Sequence, residues 1–412
     1  MRRLLLVTLI LGGLTLLFLL KFEKTNDKKT PIKKIGVMQN NDEDIYSYPK
    51  RLEFGELKKA PIASPAHNKQ GVDILAHWYN DFGLEYTASA SNQSNGSYTW
   101  YDWSWNHTNN PNYDPSRHPL LGWYKGDDPN VLDWQSYWLV KYGVTGIILS
   151  GVINKNNFYQ KNEKMYWVNM LMNKTKNFQR LKYSLWLDSN SPKSEANAQQ
   201  DFIIDHILKK HPNIYTYEVD GKRYPVFFVW DMESFRGIYD NYNGSKISGV
   251  RFIYLAERMK KLGYDGICIL GRNLVISPSS YNEKQVGNLK RKGVYLFRGS
   301  YSTLYGDNYD NSYSKYANTV AFPNEKYNVL NVMTSAESQY PHPSKWKVRG
   351  STPELFETVL RRATHSIREN KQPEFLTIYN ISEWAEGGPG LQPNKRDGFG
   401  YLKALNNVIT EE

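Results

Sequence analysis

A single cysteine, Cys268, occurs among 412 residues, so no disulfide can form within the chain and cysteine usage says nothing about redox compartment. It sits in the apolar run "DGICIL", which reads as a buried small side chain and not as a nucleophile. His, Cys and Asp do not cluster at metal-ligand spacing, so no metal and no cofactor is expected. The first apolar run is followed by "HWYNDFGLEY", with one glycine and no phosphate-cradling fingerprint, which argues against a dinucleotide-binding open sheet. Internal repeats and a Ser/His/Asp constellation are also missing. The formal charge of +11 is not gathered on one element: the first sixty residues carry twelve Lys/Arg against seven Asp/Glu, about half of the surplus. With no RNA- or DNA-binding signature beside it, that charge gives no reason to expect nucleic acid as a partner.

Aromatic residues are abundant instead. The 12 Trp and 31 Tyr suit surfaces that grip sugars with rings carrying a polar tip, and equally a large ring-rich core; composition alone does not choose between them. The N-terminus carries "LLLVTLILGGLTLLFLL" from Leu4 to Leu20 behind Arg2 and Arg3, short for a spanning helix and long for a signal peptide's apolar region. With no small-x-small cleavage site after it, residues 1–20 read as an uncleaved signal anchor, the alternative being a cleaved signal peptide. Residues 21–65, charged and proline-bearing, read as a stalk, and residues 66–412 as one catalytic domain, a monomer.

From residue 70 onward, eight short apolar runs recur: 72–78, 144–150, 181–187, 224–230, 265–270, 293–297, 327–333 and 374–380. Between them lie stretches with helical spacing, such as Val131, Trp134, Trp138 and Leu139, or Phe252, Leu255, Ala256 and Met259 before Gly263. Another opens with Thr352 as cap and carries Leu355, Val359, Ala363 and Ile367 on one side. Near-continuous apolar strands alternating with helices predict an α/β fold, a (β/α)8 TIM-type barrel with a long first loop at about residues 79–129.

Such barrels carry their reacting groups at the C-terminal ends of strands. Those positions hold His77, Trp78 and Tyr79 after the first run, Asp188 after the third, Trp230 and Asp231 after the fourth, Arg272 after the fifth, Arg298 after the sixth, and Glu383 with Glu386 around Trp384 after the eighth. Paired carboxylates are the minimum equipment for cleaving a glycosidic bond, one protonated and one ionised. Crowding raises one pKa, because two neighbouring negative charges cannot both form cheaply. In isolation, an E-x-x-E is equally a pair of solvated loop acids; its place at the end of the eighth strand is what favours chemistry. His118 and Tyr124 in the first loop are further candidates to line a sugar site, whereas Asp128 before Pro129 is explained as a helix cap. Trp230 and Asp231 are candidate ligand contacts, and Arg298 either reaches a sugar hydroxyl or braces a glutamate.

The stretch "TIYNISEWAEGGPGLQP" resembles the eighth-strand segment of the endo-α-mannosidases of glycoside hydrolase family 99 and their relatives, whose pattern is a strand, then Asn-Glu-Trp-x-Glu-Gly, then a proline. Here Ser382 stands where that pattern has Asn, while Glu383, Trp384, Glu386 and Gly387 match. The run "SRHPLLGWYKGDDPNVLDWQSYWLVKYGVTGIILSG" is similar to the same clan's HP-x-x-G-x-Y…D-P…Q block, and "AHWYNDFG" departs from its aromatic first-strand end. What the resemblance implies is a metal-free retaining endo-glycosidase acting on α-mannose-containing glycans. Glu383 would deprotonate the sugar's 2-hydroxyl and Glu386 would be general acid and base. A domain exported to the Golgi lumen or the cell surface, anchored by residues 1–20 or secreted if they are cleaved, fits that family. The alternatives are a non-catalytic carbohydrate-binding protein or a surface-polysaccharide biosynthesis protein on the same barrel.

Overall fold

A computed structural model of the chain describes residues 57–80, 82–83, 98–99, 116, 119–122, 124–161, 165–187, 193–229, 250–272, 283–299, 312–320, 322, 328–334, 336–337, 347–370, 373–382 and 390–411. The apolar run 4–20 lies outside them, and among them no helix is long and apolar enough to cross a membrane.

Every expected strand forms: β1 Asp73–Trp78, β2 Gly146–Leu149, β3 Lys182–Trp186, β4 Lys222–Val229, β5 Ile267–Arg272, β6 Val294–Gly299, β7 at 328–333, and β8 Phe375–Tyr379. From β1 to β6 they pair in parallel in chain order. The seventh strand is interrupted at Leu330: Asn328–Val329 pairs with β6, while Asn331–Met333 pairs with β8, which returns to β1. The carbonyl at the break is still used, accepting from the Thr377 N–H at 2.8 Å. Pairing therefore runs almost full circle through the two halves of β7, and a nearly closed TIM-type barrel results.

The crossovers are helical: α1 Pro129–Tyr142, α2 Lys155–Tyr159 with α3 Tyr166–Lys174, α4 Lys193–Phe202, α5 Val250–Lys260, α6 Glu283–Arg291, α7 Tyr313–Thr319, α8 Pro353–Asn370 and α9 Gly400–Thr410. Asp128 caps α1 as expected, accepting from the Asn130 N–H at 2.8 Å. Gly143 ends α1 at φ 96°, and a Cβ there would fall 1.8 Å from Ile409 Cδ1, so only glycine lets α9 close on that turn. The buried stripe of α8 is Phe356, Val359, Leu360, Ala363, Thr364 and Ile367, with Leu355 left at its margin.

Strand pleating sorts side chains between the lumen and the helix layer. At the N-terminal end of the lumen, Phe375 of β8 meets the rings of Tyr215, Tyr217 and Phe297 at 5.5, 6.4 and 6.3 Å, and Tyr217 lies 4.9 Å from Phe297. Tyr217 belongs to Thr216–Val219, an antiparallel partner of β4, so a hairpin plugs this end. Tyr215 Oη donates to Asp73 Oδ2 at 3.0 Å. Cys268 points into the same lumen, fully buried, and burial pushes its thiol well above the ordinary value, consistent with the packing role expected of it.

Residues 57–65, which the sequence assigns to the stalk, lie against the barrel's helices. Trp134 Nε1 donates to the Lys58 carbonyl at 2.7 Å, and Asn177 accepts from the Ala63 N–H at 2.8 Å while donating to the Pro61 carbonyl at 2.9 Å. Buried Leu57, Ala60 and Ala63 give this segment its apolar contact.

Candidate functional site

With the N-terminal end plugged, the C-terminal mouth is where a ligand can reach the lumen. His77, next to last in β1, points inward and is 1% exposed. Its ring meets Phe228 edge-on at 4.8 Å and Tyr379 at 5.9 Å, and Nδ1 lies 3.3 Å from Ser150 Oγ at the end of β2. Trp186, last in β3 and half-buried, packs edge-on against Phe228 at 5.6 Å. These five side chains make a largely aromatic floor in which His77 Nδ1 and Ser150 Oγ face each other. Trp186, Ser150, Phe228 and Tyr379 escape a reading of strand ends alone; counting by twos from His77 and across the pairing register would have found them.

The β8 end is pinned over this floor. Ile381 N–H donates to the His77 carbonyl at 2.8 Å, and Ser382 Oγ donates to the Tyr79 carbonyl at 3.0 Å. Further along, the Leu391 and Gln392 N–H groups donate to the Asn380 and Ile381 carbonyls at 3.0 and 2.9 Å. Residues on both sides of 383–389 are thus held together at the mouth. Gly390, at φ 60°, makes this possible: a Cβ would fall 2.3 Å from both the carbonyl oxygen and Oδ1 of Asn380.

Beside this hairpin-like closure runs a buried polar network. Gln392 Oε1 accepts from Tyr124 Oη and Gln135 Nε2, each at 3.0 Å, and Asn80 Nδ2 donates to the Gly126 carbonyl at 3.0 Å and to Gln135 Oε1 at 3.2 Å. The network joins the residue two beyond β1, the first loop, α1 and the segment after β8. Tyr124, expected to contact substrate, is 0% exposed and spends its hydroxyl here, which makes it a brace between loops. Asn80, Gln135 and Gln392 went unnoticed in the sequence because amide contacts leave no periodicity.

Other expected residues are placed as follows. Trp78 follows His77 and the pleat turns it outward, fully buried in the helix layer 5.6 Å from Trp167 of α3, away from the mouth. Tyr79 is half-buried and offers its carbonyl to Ser382. Arg298 is half-buried and has the parity opposite to Phe297, whose ring is inside, so its side chain starts from the helix side of β6. Glu383, Trp384, Glu386, His118, Trp230 and Asp231 lie outside the described residues. Among those described, no group of three or more His, Cys, Asp or Glu could hold a metal ion.

Comparison with family models and with curated protein sequences gives no match. The resemblance read from the eighth strand reappears among solved structures. The chain is similar to the family 99 endo-α-mannosidase of Bacteroides thetaiotaomicron, at 14% identity and a TM-score of 0.49, with 82% of this chain and 96% of that one covered. It is also similar to a 2,3-dimethylmalate lyase (10% identity, TM-score 0.27, covering 61% and 72%) and to a family 39 glycoside hydrolase of Bacteroides cellulosilyticus (10%, TM-score 0.32, covering 86% and 66%). A lyase and two glycoside hydrolases share only an architecture at these scores, so the chemistry has to come from the residues.

Proposed function

We propose that the chain is a metal-independent, retaining, endo-acting glycoside hydrolase for α-mannose-containing glycans. The observation that carries this reading is where the E-W-x-E-G motif is attached. Glu383 is bonded directly to Ser382, whose hydroxyl is fixed to the β1 end, and the chain returns at Gly390 to bond with Asn380. Both ends of the segment that carries the motif, Ser382 and Gly390, are therefore anchored at the C-terminal end of the barrel, where His77 and Tyr379 also lie. Within the family pattern it resembles, Glu383 takes the proton of the sugar's 2-hydroxyl, and that oxygen attacks the anomeric carbon. Glu386 meanwhile protonates the departing oxygen, leaving a 1,2-anhydro sugar. Water, deprotonated by Glu386, then opens that ring at the anomeric carbon, and Glu383 returns the proton to the 2-oxygen.

The test is hydrolysis of an activated α-mannoside oligomer by Glu383→Gln and Glu386→Gln. Each is expected to fall by roughly 10²–10⁴-fold; activity near wild type in either would remove that residue from the chemistry. Ser382 favours a second reading. Being 0% exposed and engaged with Tyr79, it offers a ligand nothing at the place where the family pattern has an amide, which suits a barrel that binds carbohydrate or serves polysaccharide assembly without turnover. Glycan binding by the wild-type chain with no product released would support it. In either reading residues 1–20 act as a membrane anchor or export signal for a monomeric domain, and fractionation of cells expressing the full chain with and without them tests this.

A further inference from the structure

Just beyond β2, the loop after it with the first turn of α2 and one face of α4 enclose a groove of about 300 Å³, at the small end of ligand pockets, which run roughly 300–1,000 Å³. Glu195, Ala198, Gln199 and Phe202 form its helical wall, spaced three, four and seven residues from the first, so a single stripe of α4 faces the cavity. The opposite wall is Val152, Asn154, Lys155 and Asn156.

Chemistry in the groove is mixed in a specific way. Val152, Ala198 and Phe202 are apolar, and the exposed Lys155, Asn156 and Glu195 add an ammonium, an amide and a carboxylate. Phe202 is the hub of an aromatic cluster. It stacks on His206 at 5.0 Å and 20°, and takes Phe158 and Tyr159 edge-on, each at 5.7 Å. Tyr159 is 41% exposed, one of few large apolar side chains left so among the described residues, and its hydroxyl lies 3.4 Å from His206 Nδ1. The chain is π-helical immediately beyond Phe202, over Ile203–Leu208, a distortion often kept where a side chain has to be aimed.

We infer that this groove is a binding site for a neutral oligosaccharide, lined by none of the residues of the aromatic floor. Amide groups donate to and accept from neighbouring hydroxyls at once, a carboxylate accepts from two of them, and the part of Phe202 that reaches the groove, 7% of the residue, gives an apolar contact for the C–H groups of a pyranose ring. The competing ligands fit less well. An anion would face Glu195, with Asp201 and Asp205 following on the same helical run, and a metal would find one carboxylate. The inference goes beyond the proposed reaction and does not depend on it.

The experiment titrates the full chain carrying Glu383→Gln with α-linked mannotetraose and with cellotetraose, followed by amide NMR shifts. A second protein adds Ala198→Trp, an exposed helix position where the new ring fills the groove without entering the core. Shifts clustered at Asn156, Glu195 and Ala198 with either sugar, and affinity lowered at least about tenfold by Ala198→Trp, are expected. Asn156→Ala with Glu195→Ala, both exposed, should reproduce the loss without altering the fold. Shifts confined to the mouth, or groove binding indifferent to Ala198→Trp, would overturn the inference, as would no binding of either sugar there. Groove binding together with an inactive wild-type chain would instead count against the glycosidase reading alone.

Discussion

The two ends of one barrel use aromatic residues for opposite purposes. At the N-terminal end Tyr215, Tyr217, Phe297 and Phe375 pack ring against ring, and Tyr215 gives its hydroxyl to Asp73. At the C-terminal end His77, Trp186, Phe228 and Tyr379 line the lumen beside Ser150, with Trp186 half open and the Asn380–Ser382 backbone tied across β1. The first arrangement fills space and is sealed by a hairpin; the second lies at the open end, where Ser382 and Gly390 bound the segment that carries two glutamates. Aromatic abundance in the sequence therefore has more than one cause, and the rings of the plug are packing.

That contrast can be broken first by cutting into the plug. Phe375→Ala removes a ring that is 1% exposed and touched by three others, and is expected to cost about 3–5 kcal/mol of stability. Denaturant unfolding would measure it. Any residual folded fraction should keep its substrate affinity, and a selective loss of affinity with unchanged stability would show the plug to be part of the site. Next in size is Gly390→Ala, which forces a side chain into left-handed backbone at about 1–2 kcal/mol and drives Cβ onto the Asn380 carbonyl. Gly398→Ala is its control: φ is 55° there, with nothing within 4 Å of the added methyl. Both share the left-handed backbone cost, so Gly390→Ala should lose more stability by the added clash, and only it should lower kcat, because only it displaces the closure between Asn380 and Leu391. Equal kcat values in the two variants would detach that closure from catalysis. Smaller again is Trp186→Ala, expected to raise KM roughly tenfold, equivalent to about 1.4 kcal/mol, while moving the unfolding midpoint far less than Phe375→Ala. A large midpoint shift with unchanged KM would place Trp186 in the packing and not among ligand contacts.

What the sequence made legible follows the same division. All eight strands could be read because each is buried on both faces and so appears as an apolar run, and the cap at Asp128 could be read because capping is local. The interruption at Leu330 could not, since "YNVLNVM" is as continuous as its neighbours and the break is set by a change of partner from β6 to β8. Trp78 was misplaced for a related reason. Strand ends were read by position along the chain, whereas lumen access is decided by alternation, and one residue of offset separates His77 from Trp78. Tyr124 looked like a ligand contact because a loop tyrosine in a sugar-binding motif has two possible partners, and only the folded chain brings Gln135 and Gln392 to it.

The smallest effect concerns the plug at high pH. Tyr217 is pushed up to about 12, chiefly by burial and then by the nearby Cys268, Tyr295, Glu374 and Asp220. Tyr215 moves the same way, through burial first and Asp73 second, while the Lys182 ammonium lies 5.4 Å from its ring. In the unfolded chain a tyrosine gives up its proton near pH 10. The sign follows from which state holds the proton. Below about pH 10 both states are protonated and the plug contributes fully; from there to about 12 the unfolded chain ionises while folded Tyr217 does not, so stability falls as pH rises. Urea unfolding at intervals across that window should show a shallower decline for Tyr217→Phe than for the wild-type chain, with the two converging below it apart from a constant offset. Parallel curves throughout would mean that the phenol is hydrated in the folded protein, and the N-terminal end would then be less tightly sealed than its ring contacts imply.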